Sequence, residues 1–425
     1  MVRATAGVRA AASLVVLALF LAACAASPPR SENRTLSVVM ADDWASAPAV
    51  AEVVAEFERE HEGLRVQVQP APFSQILDLV RTATELGDPY DVAHWHAFAA
   101  GAAGLAQPLD DLWEAEGLTS QRYLDGAVQG VTWGDDVRYG VPLDVNAMVM
   151  MANGEVLQEA GLDPDDLRDA TQLVDVAAEL SELEGVDHAL TVSASTWAAY
   201  GWIRAFGGDV LQRGPNGTVE FTFEDPGTIA ALETLQRLVD DGSVPAPFAP
   251  DLALDAVQAF TQGSVAMHAS GSWDLAVATR SVSSGLDPEQ LEVLPLPQAP
   301  TNGAGEVGTV LGGSSLFVPR GSEQRELAFA FMQALTADEV ATELALTEGR
   351  LPAARAPYDD ARFAEDPRIA AFIAQLDDAD VMPLIAYPAV DVAFSDALEA
   401  VLKGADVASA MAAVQVRAED AVGPG

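Results

Sequence analysis

The fold class of this chain is decided by the stretch from Thr35 to Val68, TLSVVMADDWASAPAVAEVVAEFEREHEGLRVQV. Its two ends, residues 35–40 and 64–68, are rich in β-branched and apolar residues, which is typical of strands. Between them, residues 49–61 have valines and a phenylalanine at helical spacing on one face, and Gly63 ends the predicted helix. Strand, helix and strand in this order predict an α/β protein.

The alternation continues along the rest of the chain. Residues 73–86 predict a further helix closed by a glycine, and residues 91–93 predict a third strand. Helical periodicity returns farther on, at 171–183, 228–240, 325–336 and 392–402. Loops rich in Gly and Pro are predicted at 214–217, 245–247 and 295–308.

Length and charge limit the possible functions. The chain has 425 residues, 64 acidic against 22 Lys and Arg, and a net charge of −42. At about 150 residues per domain this length predicts two or three domains. Half of the residues are apolar, which excludes intrinsic disorder. Because the chain is this acidic, it lacks the clustered Lys and Arg side chains that bind phosphates. Nucleic acid is therefore not an expected partner.

The N-terminus carries an export pattern. Arg3 and Arg9 precede the uncharged apolar run 10–21, which is too short to span a bilayer. The run ends in Leu-Ala-Ala-Cys, and Cys24 is the sole cysteine. This arrangement resembles a bacterial lipoprotein signal, which implies a signal peptide over 1–23, lipidation of Cys24 and a tether over 24–34. The alternative is an ordinary secretory signal with an incidental cysteine.

Five segments occur in an order and spacing that resemble one known family. They are 56–66, 139–142 with 148–153, 260–267 leading to Gly271-Ser272-Trp273, 328–340 with Gly349-Arg350-Leu351-Pro352, and 366–370. Together they resemble the extracellular solute-binding proteins of ABC importers, in the carbohydrate-binding, maltose-binding-protein-like branch. The resemblance covers essentially the whole chain after the signal.

The resemblance implies a periplasmic-binding-protein-like fold with two α/β lobes and a ligand cleft between them. Crossing hinge strands are expected near 143–148, 308–314 and 356–360. Lobe 1 would comprise 35–145 and 309–357, and lobe 2 would comprise 146–308 and 358–425. It also implies a monomer without cofactor, anchored at the extracytoplasmic face of a bacterial cell membrane, that delivers its ligand to the permease subunits.

A sugar presents flat C–H faces and a rim of hydroxyls, so its site needs aromatic rings and short polar side chains. The aromatic candidates, placed by the family's cleft positions, are Trp44, Trp95, Trp197, Trp273 and Tyr387. The remaining tryptophans, Trp113, Trp133 and Trp202, are expected in the core.

The polar candidates are Asp42, Asp43, His96, Asp144, Asn146, Arg350 and the backbone around Gly312, Gly313 and Ser314. Asp144 and Asn146 are two residues apart on a predicted crossing strand and therefore share one face. An isolated acid in so acidic a chain is also compatible with a solvated surface position. Whether His94 and His96 touch ligand, or whether the pair only packs, stays open.

The sequence lacks the common catalytic motifs and the paired-cysteine metal motifs. No metal site is therefore expected, although His94 and His96 could offer two ligands of one. The expected function is reversible binding of a mono- or oligosaccharide or a polyol for import. The alternatives are a glycan-active surface lipoprotein enzyme and a sensory solute receptor, and the sequence does not identify the sugar.

Overall fold

A computed structural model describes residues 34–213, 218–245, 253–280, 285–300, 307–376 and 379–422. The predicted signal segment, Cys24, the tether up to residue 33 and the loop at 214–217 lie outside these residues. In the part of the chain that is described, no helix has both the length and the apolar character that crossing a bilayer requires.

The described residues form fifteen strands, numbered in chain order. They are β1 (Arg34–Ala41), β2 (Leu64–Ala71), β3 (Val92–Trp95), β4 (Thr132–Trp133), β5 (Val137–Arg138), β6 (Gly140–Ala147), β7 (Val149–Asn153), β8 (His188–Thr191), β9 (Leu211–Arg213), β10 (Val219–Phe221), β11 (Val265–Ser270), β12 (Leu291–Pro295), β13 (Thr309–Phe317), β14 (Leu351–Pro352) and β15 (Ala379–Val381).

Eighteen α-helices accompany the strands within the same residues. They are α1 (Asp42–Ala45), α2 (Pro48–Glu60), α3 (Ile76–Leu86), α4 (Ala97–Ala102), α5 (Asp110–Ala115), α6 (Asp125–Gln129), α7 (Gly154–Ala160), α8 (Leu173–Ser181), α9 (Thr196–Ala205), α10 (Pro226–Asp240), α11 (Ala253–Thr261), α12 (Ser272–Arg280), α13 (Arg325–Leu335), α14 (Asp338–Glu348), α15 (Ala361–Ala364), α16 (Pro367–Leu376), α17 (Pro388–Leu402) and α18 (Val407–Val422).

The first of two main sheets has seven strands. Six follow the order β14-β6-β13-β3-β1-β2, and β15 pairs with the beginning of β13. β1 is parallel to β2 and β3, whereas β13 is antiparallel to β3 and β6. Because β1 and β3 are parallel, their carboxyl ends meet at one edge of the sheet, which is where ligands bind in open α/β sheets.

The second sheet has four strands in the order β12-β7-β11-β8. Both of its faces are covered, as the alternation along β7 shows. Val149 and Met151 belong to one apolar cluster, which also contains Phe372 of α16. Met150 belongs to another cluster, which contains Phe394 of α17. The two faces of this sheet are therefore buried beneath different helices.

The chain passes between the two sheets at Met148, which separates the end of β6 from the start of β7. The Met148 amide donates to the carbonyl oxygen of Val310 at 3.3 Å. The Met148 carbonyl accepts a hydrogen bond from the Thr309 hydroxyl at 3.0 Å. Two connections between the sheets therefore touch each other. The lobe boundaries drawn from the sequence stay a prediction.

The helices and strands differ from the sequence-based expectations mainly at their ends, except that the segment near 356–360, expected as a third crossing strand, is a 3-10 turn at Ala356–Asp359. Arg34, assigned to the tether, pairs with Leu64, so β1 starts one residue earlier than expected. The helix expected over 73–86 begins with a 3-10 turn at Phe73–Gln75 and continues as α3. The helix expected from residue 392 begins at Pro388, because a proline fits the first turn of a helix.

Candidate functional site

A cavity of about 420 Å³ lies between the two sheets. The first sheet and its loops supply most of its wall, and the second sheet's helices supply the rest. Its lining consists of Ala41, Asp43, Trp44, Phe73, His94, His96, Asp144, Asn146, Trp197, Trp273, Gly312, Gly313, Ser314, Arg350 and Ile385.

Three indole rings line the cavity, each near the start of a helix. Trp44 belongs to α1, which follows β1 directly; Trp197 lies in the first turn of α9, and Trp273 in that of α12. The rings of Trp197 and Trp273 are 5.3 Å apart between centroids and inclined at 53°. A Cβ atom at Gly271 would come within 2.3 Å of the Trp273 ring, so the glycine permits this ring position. The indoles give the cavity flat apolar surfaces.

A directed chain of hydrogen bonds joins four strands beside these rings. The Ala41 amide of β1 donates to Nδ1 of His94 at 3.3 Å. This histidine therefore carries its proton on Nε2, which lies 2.6 Å from Oγ of Ser314. The Ser314 hydroxyl in turn donates to Oδ1 of Asp144, and the Ser314 amide donates to the same oxygen at 2.7 Å. His94, Ser314 and Asp144 therefore form a polar wall of the cavity, and hydrogen bonds within the protein hold this wall in position.

Burial sets the protonation of this wall. It lowers the pKa of His94 to about 3, with Arg350 and His96 adding to the effect. Burial also lowers the pKa of His96 to about 4. In contrast, burial raises the pKa of Asp144, against the opposing effects of Arg350 and the Ser314 hydrogen bonds. Both histidines are consequently neutral at physiological pH, and Asp144 is shifted toward its neutral form.

Arg350 is held in place at one end of the cavity. Its Nη2 atom pairs with Oδ2 of Asp43. Its guanidinium carbon lies 5.8 Å from the centroid of the Trp44 ring. The pairing neutralises the charge of the arginine, while its remaining N–H groups can donate to a ligand oxygen.

Asn146 offers an unused acceptor. Its side chain is 3% exposed, and its Oδ1 atom has no hydrogen-bond partner among the described residues. A Cβ at Gly312 would lie 2.2 Å from this oxygen, so the glycine leaves room for the amide. Gly313 has φ +130° and approaches the Asp144 carbonyl too closely for a side chain. A buried amide oxygen without a partner favours a ligand that donates a hydrogen bond.

The structure brings together ten of the thirteen residues predicted for the ligand site: Trp44, Trp197, Trp273, Asp43, His96, Asp144, Asn146, Gly313, Ser314 and Arg350. The other three lie outside the lining. Trp95 packs against Phe73 at 6.5 Å between centroids, Asp42 is exposed on α1, and Tyr387 packs edge-on against Phe221 at 5.6 Å. Trp95 lies outside the lining because successive side chains of a strand point to opposite faces, and here His94 and His96 face the cavity.

Sequence reasoning missed several lining residues. Phe73 touches His96 edge-on at 5.2 Å between centroids, and Ile385 also lines the cavity. Phe73 follows β2 much as Trp44 follows β1, so its position at the sheet edge was the available signal. Ile385 sits in a 3-10 turn at Pro383–Ala386 whose apolar sequence is indistinguishable from core.

Both nitrogens of His94 are engaged, with Nδ1 as an acceptor, so this ring is not free to ligate a metal ion or to take a proton from Ser314. Within the described residues, no group of three or more His, Cys, Asp or Glu side chains is placed to hold a metal ion.

Two sheets joined by touching connections, with an indole-lined cavity between them, define a two-lobed solute-binding fold. The sequence profile described as "Bacterial extracellular solute-binding protein" matches residues 52–371. The chain belongs to this family, whose members work on the extracytoplasmic side of the membrane.

Solved structures show the same fold. The GacH receptor of Streptomyces glaucescens, determined unliganded and with acarbose, has a TM-score of 0.79 and 22% identity, covering 92% of this chain and 98% of its own. Maltose-bound MalE3 of T. maritima has a TM-score of 0.79 and 21% identity, covering 90% and 98%. In sequence, the chain is also similar to the galactooligosaccharide-binding protein of Bacillus subtilis, with 23% identity over 266 residues, which is 61% of either chain.

Proposed function

We propose that this protein is the solute-binding component of an ABC importer, and that it binds a sugar or a polyol reversibly and delivers it to the permease. The observation that carries the proposal is the combination of three indoles with a hydrogen-bonded polar wall around one cavity. Indole faces suit the C–H faces of a sugar, and fixed polar groups suit its hydroxyls. Similar proteins that are named for acarbose, maltose and galactooligosaccharides support a sugar ligand.

The polar wall matches a hydroxylated solute in donors and acceptors. Asn146 needs a donor for its buried oxygen, and a sugar hydroxyl supplies one. Arg350 keeps N–H groups for a ligand oxygen while Asp43 balances its charge. A neutral ligand is favoured, since the histidines are uncharged and the arginine is already paired.

Binding would be coupled to movement of two lobes, which we propose to comprise 35–145 with 309–357, and 146–308 with 358–425. Trp44 and Arg350 belong to the first lobe, and Trp197 and Trp273 belong to the second, so a ligand between them contacts both. The contact between Met148 and Thr309 lies where the connections cross and is our candidate hinge.

The membrane attachment is part of the same proposal. We infer that Cys24 is lipidated after removal of residues 1–23, and that a monomer is held at the extracytoplasmic face by acyl chains rather than by a spanning helix. A permease receives solute only from a binding protein close to the membrane, so an anchor supports delivery.

Catalysis does not fit the polar wall. Glycoside hydrolysis uses two carboxyl groups that flank the scissile bond, one as acid and one as base or nucleophile. Here Asp43 pairs with Arg350, and Asp144 accepts two hydrogen bonds from Ser314. We therefore propose that the solute leaves the site chemically unchanged.

The experiment is a calorimetric and tryptophan-fluorescence titration of the mature protein with a panel of monosaccharides, oligosaccharides and polyols. At least one should bind and alter the fluorescence, because indoles lie on both lobes. Chromatography of the recovered ligand should show no product. Absence of binding across the panel would refute the sugar assignment, and turnover would establish the glycan-active enzyme instead.

A further inference from the structure

A chain of buried polar side chains links the second sheet to the helix that carries Trp273. His268 lies in β11, the strand between β7 and β8, and is 4% exposed. Its Nε2 atom lies 2.8 Å from Oδ2 of Asp274, in the first turn of α12. The hydroxyl of Ser270, the last residue of β11, donates to the same carboxylate oxygen. The Asp274 carboxylate therefore ties the start of α12 back to the strand that precedes it.

The His268 ring is held by two further contacts. Its Nδ1 atom lies 2.8 Å from Oγ1 of Thr191, the residue that pairs with His268 in β8. The ring of Phe260 in α11 stacks on the imidazole at 5.9 Å between centroids and 28° between planes. Because a carboxylate only accepts hydrogen bonds, Nε2 of His268 carries a proton and donates it to the hydrogen bond with Asp274. A donor fixed within the sheet therefore points at Asp274.

The position of Trp273 depends on the same helical turn. Asp274 follows Trp273 directly in the chain, so an anchored Asp274 carboxylate restrains the backbone from which the indole extends. Trp273 is only partly buried, so burial alone does not determine where its ring lies. Trp273 lines the cavity, whereas Asp274 and His268 do not belong to the lining. The two residues can therefore influence a ligand through the position of the indole rather than by contact.

We propose that Asp274 and His268 are positioning residues for ligand binding, and that they hold the Trp273 indole against Trp197 in the orientation that the ligand contacts. This inference rests on the proposed function and deepens it. The two indoles are 5.3 Å apart between centroids and inclined at 53°. Without the carboxylate, α12 is no longer tied to β11 at its first turn, and the indole samples other orientations. Ordering the ring again on binding then lowers the affinity.

The first test needs no ligand. Two indoles this close and this inclined couple their electronic transitions, which gives a band of two opposite signs in far-ultraviolet circular dichroism. Trp197→Phe removes one of the two rings and so identifies the band in the wild-type spectrum. Asp274→Ala should weaken the band strongly, whereas Asp274→Asn should retain it, because the amide oxygen still accepts from His268 and Ser270. A wild-type band in Asp274→Ala, or no band that depends on Trp197, overturns the proposal.

The second test measures affinity in the full mature protein for the sugar and polyol panel, with glucose, maltose, lactose and glycerol among its members. Asp274→Ala should lower the affinity for the recognised solute about fivefold, and Asp274→Asn should stay within about twofold of the wild type. His268→Phe keeps a ring beside Phe260 but removes the donor, so it should lower affinity in the same direction as Asp274→Ala. Equal losses in Asp274→Ala and Asp274→Asn would contradict a positioning role.

Asp225→Ala is the matched control. Asp225 lies at the start of α10 and accepts a hydrogen bond from the Gly227 amide at 2.8 Å, and no residue of α10 lines the cavity. This variant also loses a carboxylate that anchors a first helical turn, so thermal unfolding should show a loss of stability while affinity stays within about twofold. A loss of affinity equal to that of Asp274→Ala would show a general effect of stability and overturn the proposal.

A double-mutant cycle separates positioning from direct contact. In the Trp273→Ala background, Asp274→Ala should cost no further affinity, because the ring that Asp274 positions is already absent. A further loss of about fivefold in that background would overturn the proposal. If no member of the panel binds the wild type, the proposed sugar binding fails, whereas the circular dichroism still decides whether Asp274 positions the ring.

Discussion

The Nε2 atom of His94 lies 2.6 Å from the Oγ atom of Ser314, although 220 positions separate the two residues in the chain. The contact joins β3 to β13 at the cavity wall. Its direction is fixed, because the Ala41 amide already occupies Nδ1. The wall is thus ordered before any ligand arrives, which lowers the entropic cost of binding.

The neutral histidines predict a loss of stability in acid. In the folded state the pKa of His94 falls from 6.5 to about 3, so the unfolded chain binds more protons between these values. The free energy of unfolding should be highest above pH 6.5 and should fall as the pH drops toward 3, by roughly 4–5 kcal/mol from this residue. Buried Asp144 acts in the opposite direction, since its raised pKa stabilises the fold at low pH.

Urea unfolding at pH steps from 7 to 4 measures this dependence. His94→Asn should give a flatter profile than the wild type. Equal slopes for the two proteins would show that His94 is not neutral in the folded state.

Trp273→Ala should weaken ligand binding by about 1–3 kcal/mol, because a stacking surface and part of the cavity wall are lost together. Trp95 is also an aromatic candidate from the sequence. Since Trp95 lies outside the lining, we now expect Trp95→Ala to cost less than about 1 kcal/mol. Isothermal titration of both variants measures their binding free energies. Equal losses of binding free energy would show that Trp95 contacts the ligand.

Gly312→Ala should lower affinity at least about tenfold. The added Cβ would come within 2.2 Å of Oδ1 of Asn146, so the amide must turn away from the cavity. Gly130→Ala is the control, since its Cβ would meet its nearest neighbour at 3.4 Å. Thermal unfolding of both variants separates a binding defect from a folding defect. Unchanged affinity in Gly312→Ala would mean that Asn146 does not contact the ligand.

Cys24→Ser should move the protein from the membrane fraction to the soluble fraction and leave ligand affinity unchanged. The proposed lipid anchor would depend on the thiol, whereas the cavity is lined by Ala41 and residues that follow it in the chain. Fractionation followed by immunoblotting measures the first effect, and titration measures the second. Retention of the variant at the membrane would contradict lipidation at this cysteine.

Local patterns predicted the elements well where the pattern itself determines the structure. The spacing of Val50, Val53 and Phe57 predicted α2, since all three side chains are buried on one face. Patterns predicted the site less completely, because the face that a side chain presents depends on packing between distant segments. Tyr387 illustrates this limit: it packs against Phe221 and Trp133 and lies outside the cavity lining.

The position of β13 has a consequence for biogenesis. This strand lies between β3 and β6 in the sheet, but it is synthesised long after both. Until residues 309–317 emerge, β3 and β6 have exposed edges and Asp144 lacks the hydrogen bonds from Ser314. The nascent polypeptide therefore cannot complete its first sheet until residues 309–317 have been synthesised, so the folding of this sheet depends on contacts between distant parts of the chain.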